Sequence, residues 1–143
     1  MKSIVIDASV ALKWYLSDEE HGAKALDILE SHVTERISLH APALLEFEVA
    51  NGLAIAKRRA RVGDNDVLKA IEGFVALGIA LHPLSPLFQK VLDYTERLNI
   101  SAYDAAYVAL AEALQIQLVT ADKRLFDSAR KLNFIKWIGQ FRV

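Results

Sequence analysis

Residues 101–122 read SAYDAAYVALAEALQIQLVTAD, and this stretch decides the fold class. Ala102 to Leu114 is an alanine-rich helix opened by Ser101 and Asp104, which form the S-x-x-D pattern of a capping box. Gln117 to Thr120 follows as a short apolar strand, and Asp122 lies two residues beyond it. The same handover recurs along the chain. Upstream, Ile4-Val5-Ile6 is a β-branched run ended by Asp7. Such a run suits a strand buried on both faces of a parallel sheet.

Between these stretches the reading is helical with two brief strands. A short helix runs from Ala8 to Leu16, followed by a polar break at Ser17-Asp18-Glu19-Glu20. A second helix carries Ala25, Ile28, Leu29 and Val33 at helical spacing. Ser38 to Ala41 is a strand stopped by Pro42, and Ala43 to Ala60 is a long helix. Gly63 to Asp66 is a turn and cap. The helix of Val67 to Leu77 follows, with Val67, Ile71, Phe74 and Val75 on one stripe and Gly78 at its end. Ile79 to Leu81 is a strand before Pro83, and Leu87 to Leu98 a helix carrying Val91, Leu92 and Tyr94. Lys123 to Leu132 is the last helix and Phe134 to Ile138 the last strand. Strands alternating with helices predict a three-layer α/β/α domain, with a central, mostly parallel sheet of four or five strands. No repeat or linker interrupts residues 1–143, so one domain is expected.

Composition narrows the function classes. With 53% hydrophobic residues the 143-residue chain can bury a full core, which argues against disorder. No cysteine is present, so disulfides, thiolate metal sites and cysteine nucleophiles are excluded. The longest apolar stretch, Gly73 to Leu81, falls well short of the ~20 residues of a membrane helix. MKSIVID at the start has no signal-peptide character, and the expectation is a cytoplasmic protein. Seventeen Lys and Arg against 18 Asp and Glu argue against simple coating of nucleic acid. The balance leaves open an enzyme whose acids are gathered in one place.

In open α/β sheets ligands bind outside the carboxyl ends of the strands. Asp7 closes the first strand, Asp122 follows the fourth, and Asp104 lies in the first turn of its helix. Each also has a plainer reading as a helix cap or capping-box member. In the long helix Glu48 shares its face with Leu44, Leu45, Asn51, Gly52 and Ile55, an unusual setting for an acid. Glu46 competes with it, and periodicity alone does not choose between them. Carboxylates crowded at one site raise each other's pKa, and a divalent cation relieves the repulsion. Hard oxygen ligands suit Mg2+ or Mn2+, and such pockets cut phosphodiesters.

Four segments carry a family resemblance: IVIDASV at 4–10, PALLEFEVAN at 42–51, YDAAYVALA at 103–111 and LVTADKRL at 118–125. With these in order, from about Ile4 to about Trp137, the chain resembles PIN-domain proteins of the VapC toxin ribonuclease type. The resemblance implies an acidic tetrad of Asp7, Glu48, Asp104 and Asp122, and so selects Glu48 over Glu46. It implies Ser9, Asn51 and Thr120 as polar residues that orient the acids. It also implies a Mg2+- or Mn2+-dependent endoribonuclease that attacks RNA with metal-activated water, a homodimer, and a VapB-like antitoxin whose C-terminal segment blocks the site.

Asp7, Asp104 and Asp122 are then expected metal ligands, and Glu48 a ligand or a general base. The cations Lys57, Arg58, Arg59 and Arg61 end the long helix. They read equally as dipole partners and as contacts to an RNA backbone. The stretch from Ala121 to Val143 has more bases than acids and is another candidate RNA-facing patch. Asp127 reads as a surface acid. His21, His32, His40 and His82 are scattered, with loop or surface roles expected. Trp14 and Tyr15 suit either the pocket or core packing, and packing is the expectation for Tyr103 and Tyr107.

Two other classes compete. One is a non-catalytic PIN-like module that binds RNA or protein and whose acids are helix caps. The other is a phosphoryl-accepting receiver domain, but those pair two acids after the first strand, where this chain has Ala8-Ser9 after Asp7. P-loop and dinucleotide enzymes are excluded by the absence of their glycine motifs.

Overall fold

The computed structural model describes residues 1–16 and 19–143, so the break expected at Ser17 and Asp18 lies outside the described residues. Among the described residues five strands form one sheet: β1 (Lys2–Ile6), β2 (Ile37–Pro42), β3 (Ala80–His82), β4 (Gln117–Thr120) and β5 (Ile135–Trp137). Their order is β3-β2-β1-β4-β5. Every neighbouring pair is parallel. The helices are α1 (Ala8–Ala11), α2 (Gly22–Val33), α3 (Leu45–Arg58), α4 (Asp64–Ala76), α5 (Phe88–Leu98), α6 (Ala102–Leu114) and α7 (Lys123–Ala129).

The connections from β1 to β2 and on to β3 run toward one sheet edge, and those to β4 and β5 run toward the other. Right-handed crossovers therefore place α2, α3 and α4 on one face and α5, α6 and α7 on the opposite face. This is the α/β/α layering expected from the alternating pattern. Ile4, Val5 and Ile6 are fully buried, as a central strand covered on both sides requires. Ala105 to Ala111 of α6 are buried without interruption, and α6 packs against β1, β2 and β4. Small alanines let this helix lie close to the sheet.

Several boundaries differ from the sequence reading. The first helix is α-helical only over Ala8–Ala11, then tightens to a 3-10 turn over Leu12–Trp14. This turn carries Trp14 inward, where its indole N–H donates to Ala25 O at 2.8 Å and its ring meets Phe74. Core packing is thus the role of Trp14. Helix α4 begins at Asp64, capped by Gly63, instead of Val67. Strand β3 is shifted one residue to Ala80–His82, and α7 stops at Ala129. Val33, Val75 and Leu92, read as core-stripe residues, are solvent-exposed. Each lies at the margin of its helix's buried stripe, where periodicity overestimates the width of the contact.

Candidate active site

Strands β1 and β4 are neighbours at the centre of the sheet, and the chain leaves them toward opposite edges. Such a switch point opens a crevice at the carboxyl ends of the strands. Asp7 is the first residue past β1, in extended conformation, and caps α1. Its Oδ1 accepts from Ser9 Oγ at 2.5 Å and from Val10 N at 3.3 Å, and its Oδ2 accepts from Thr120 Oγ1 at 2.5 Å. The two hydroxyls are themselves held from the chain after β4. Ala121 N donates to Ser9 Oγ at 2.9 Å, and Asp122 N donates to Thr120 Oγ1 at 3.0 Å. Ser9 and Thr120 thus orient Asp7 and stitch the end of β1 to the end of β4.

The other acids approach from three helices. Asp122 caps α7, its Oδ1 accepting from Arg124 N at 3.0 Å and Leu125 N at 3.3 Å. Asp104 lies in the first turn of α6, where its N–H donates to the Oγ of the cap residue Ser101 at 3.1 Å. Asp104 and Asp122 line the same cavity of about 280 Å³, with Arg124 beside them. Glu48 reaches in from α3 and accepts the Tyr107 hydroxyl at 2.5 Å.

Burial dominates the electrostatics. It pushes Asp7 up to about 6 from 3.8, against its hydrogen bonds to Ser9, Thr120 and Val10, and the charge of Asp122 adds to the rise. Burial also raises Asp104, with a further rise from Asp122, while Ser101 and Arg124 oppose it. Glu48 is raised by burial and by the Asp104 charge, and the Tyr107 hydrogen bond opposes this. The four acids thus act on one another in a chain: Asp122 on Asp7 and Asp104, and Asp104 on Glu48.

The capping readings of Asp7 and Asp122 are literally correct, and Asp104 sits in its capping box as the sequence suggested. Capping does not account for the burial of Asp7, however. A carboxylate whose only work is to cap stays solvated and is favoured by the helix N-terminus. Asp7 is 5% exposed and is held against that cost by two hydroxyls.

The other expected residues lie as follows. Asn51 is exposed on α3, in contrast to Ser9 and Thr120. Lys57, Arg58, Arg59 and Arg61 are exposed around the end of α3. Lys57 and Arg61 also line a groove of about 700 Å³ that Tyr15 shares, and Arg61 Nη2 meets Glu19 Oε2 at 3.3 Å. Asp127 is a surface acid paired with Lys123 at 3.0 Å. Tyr103 is exposed, not packed. Tyr107 is buried as expected, yet its hydroxyl serves Glu48, which sequence reading missed. Its only sequence signal was its place in the same helix as Asp104.

The histidines correct the expectation of isolated roles. His40 and His82 meet across β2 and β3, Nδ1 to Nε2 at 3.0 Å, with stacked rings. His32 Nδ1 accepts from Leu39 N at 3.3 Å, and its Nε2 bonds Leu77 O at 2.8 Å. Strand pairing alone brings residues 40 and 82 together, through the Pro42–His82 register.

The donor set suits a hard divalent cation. All four side chains are carboxylates, and three of them are raised by burial and mutual charge, a cost that a cation offsets. Among the described residues no three His, Asp or Glu side chains stand close enough together to form a complete metal cage.

Comparison with known proteins follows the same line. The signature of the PIN domain matches residues 4–132. VapC ribonuclease Mb0985 of Mycobacterium bovis is 41% identical over 127 residues, covering 89% of this chain and 91% of that protein. Ribonuclease VapC12 of Mycobacterium tuberculosis is 34% identical over 125 residues, covering 87% and 91%. In fold, the chain is similar to PAE2754 from Pyrobaculum aerophilum, with a TM-score of 0.66, 23% identity and coverage of 96% and 92%.

Proposed function

The chain belongs to the PIN-domain family alongside the VapC ribonucleases, and from that premise we propose that it is an endoribonuclease toxin that cuts RNA at the Asp7–Glu48–Asp104–Asp122 site with a divalent cation. The observation that carries the reading is Asp7, an acid buried at the switch point, held by hydroxyls from Ser9 and Thr120 and pushed up to about 6. Buried acids whose pKa stays raised in spite of their hydrogen bonds cluster at functional sites.

Mg2+ or Mn2+ held by Asp7, Asp104 and Asp122 would supply positive charge to the phosphate and lower the pKa of the attacking water. Glu48, raised by burial and steadied by Tyr107, takes the proton of that water. The water oxygen bonds to phosphorus in line with the leaving 3′-oxygen, which takes a proton from solvent. The products carry 5′-phosphate and 3′-hydroxyl ends, and no 2′-hydroxyl is required.

Ser9 and Thr120 fix both oxygens of Asp7 and so set the direction of its remaining lone pairs. The exposed Lys57, Arg58, Arg59 and Arg61 are the proposed contacts to the RNA backbone. A VapB-like antitoxin is the proposed partner, on the strength of the VapC relatives. A homodimer is supported by Phe88 and Leu92, exposed four residues apart on one face of α5. No helix among the described residues is long and apolar enough to cross a membrane, and a cytoplasmic site of action is proposed with the rest.

The test is cleavage of structured RNA with Mg2+ or Mn2+, with and without EDTA, by the wild type and Asp104→Asn. Cleavage lost in EDTA and in the variant, with circular dichroism unchanged, is the expected result. An active Asp104→Asn protein refutes the site. RNA that is bound but uncut by the wild type supports the binding-module alternative instead.

A further inference from the structure

Beside the acids lies a second cavity, of about 530 Å³, on the β5 side of the switch point. Ala121, between Thr120 and Asp122, forms one wall, and its N–H donates at 2.9 Å to the Ser9 hydroxyl that holds Asp7, so the cavity lies one residue from the acids without being lined by them. Its aromatic wall is Trp137, paired in register with Thr120 one strand away. Residues paired in parallel strands project to the same face, so Trp137 lies one strand away from Thr120 on the same side of the sheet. His21 meets the Trp137 ring edge-on at 5.6 Å, and Phe126 lies against it at 5.7 Å.

Three further observations mark this cavity as a binding site. The chain has two tryptophans, and they are used differently. Trp14 spends its N–H on Ala25 O, whereas Trp137 Nε1 makes no hydrogen bond among the described residues and lines the cavity. Gly139 is required by close approach. A Cβ there would lie 2.9 Å from Trp137 Nε1 and 3.1 Å from His21 Cε1. Two cations, Lys13 and Lys123, also line the cavity, as does Glu20, whose Oε1 lies 3.9 Å from His21 Nε2. Lys13 is 8% exposed, with Glu19 Oε1 at 3.8 Å, and Lys123 is held by Asp127 at 3.0 Å.

We propose that this cavity receives one unstacked base of a single-stranded RNA, the base adjoining the scissile phosphate, with its face on Trp137 and its flanking phosphate toward Lys13 and Lys123. The proposal rests on the ribonuclease reading and adds a base-recognition subsite to it. A flat aromatic wall with cations beside it matches a nucleotide, whose base stacks while its phosphate pairs. The Trp137 N–H, Gln140 and Glu20 supply donors and an acceptor for the base edge, so the cavity distinguishes bases as well as holding them.

The first test needs no cleavage. The two indole N–H signals are followed by NMR in metal-free protein, with Trp137→Phe assigning them. AMP, GMP, CMP, UMP, inorganic phosphate and arginine amide are each titrated to about 10 mM. The Trp137 signal is expected to move with at least one nucleotide, and unequally among the four, while Trp14 stays still. The proposal is overturned if neither signal moves, if both move alike, or if inorganic phosphate gives the same shift. A larger response to arginine amide assigns the cavity to a protein partner and also overturns it.

The second test is kinetic. Trp137→Ala is expected to raise KM on RNA about tenfold or more with kcat within about twofold, the loss of one stacked base. Trp137→Phe keeps most of the affinity and controls for folding. Gly139→Ala, which displaces the indole without changing charge, is expected to raise KM in the same direction. Wild-type KM in both Trp137→Ala and Gly139→Ala overturns the subsite. Cleavage that persists in EDTA and in Asp104→Asn would instead fail the ribonuclease reading, while the nucleotide titration still decides the cavity.

Discussion

Replacing Asp7 by Asn removes a charge from the place where the fold tolerates it least. Burial pushes this acid up to about 6 from 3.8, a difference of about two units. At about 1.4 kcal/mol per unit, holding Asp7 ionised costs the metal-free protein about 3 kcal/mol. The sign follows from the raised value. The folded state binds the proton more tightly than the unfolded chain, so this contribution is fully favourable below pH 3.8 and is lost as pH rises through 6. The amide cannot accept from Ser9 and Thr120 on both atoms as the carboxylate does, and that loss offsets about 1 kcal/mol. Asp7→Asn is therefore expected to stabilise the protein by about 2 kcal/mol at pH 8 in EDTA. The gain shrinks to well under 1 kcal/mol at pH 5, changes sign at pH ~4.5 and is reversed at pH 4. Urea unfolding of both proteins at pH 8, 5 and 4, followed by circular dichroism, measures this directly. Glu48 and Asp104 titrate in both proteins, so their contributions largely cancel in the difference. Saturating Mg2+ should stabilise the wild type more than the variant, by linkage. A variant less stable than wild type at pH 8, or a difference that ignores pH, would refute the reasoning.

Other outcomes follow from single contacts. Tyr107→Phe leaves Glu48 without its hydroxyl donor, and kcat should fall about tenfold with the fold intact. Wild-type kcat in this variant would show that Glu48 is positioned by other means. Ile6→Ala empties a fully buried position in the central strand and should cost about 3 kcal/mol, read from the urea midpoint. Replacing Lys57 and Arg58 together by Gln should weaken RNA binding evenly across sequences. The slope of log K against log salt should flatten by about 2.

Much of the site is legible in the sequence. Asp7 and Asp122 follow strands, and in a parallel sheet the residues after strands gather at one edge, so their convergence follows from topology. Asp104 was legible from its place in the first turn of a helix that leads back to the sheet. Glu48 was distinguishable from Glu46 only by family resemblance, because both acids sit among apolar neighbours on α3. Tyr107 was read as packing, since periodicity reports burial and says nothing of where a hydroxyl points. His40 and His82 were read as unrelated because their contact depends on the β2–β3 register. Asn51, expected beside the acids, is exposed on α3 three residues after Glu48.

The sequence by itself determined the alternation of strand and helix, the all-oxygen donor set and the absence of thiol chemistry. These are local properties, set by the period of apolar residues, by capping residues and by composition. Only the tertiary structure decided which side chains complete the site. Thr120 reaches Asp7 across 113 residues of chain, and Tyr107 reaches Glu48 across 59. Trp137 stands beside Thr120 because β5 pairs with β4 in that one register. Such contacts depend on which strands become neighbours and on their offset. That choice is made by packing the whole core at once, and no short window of residues contains it.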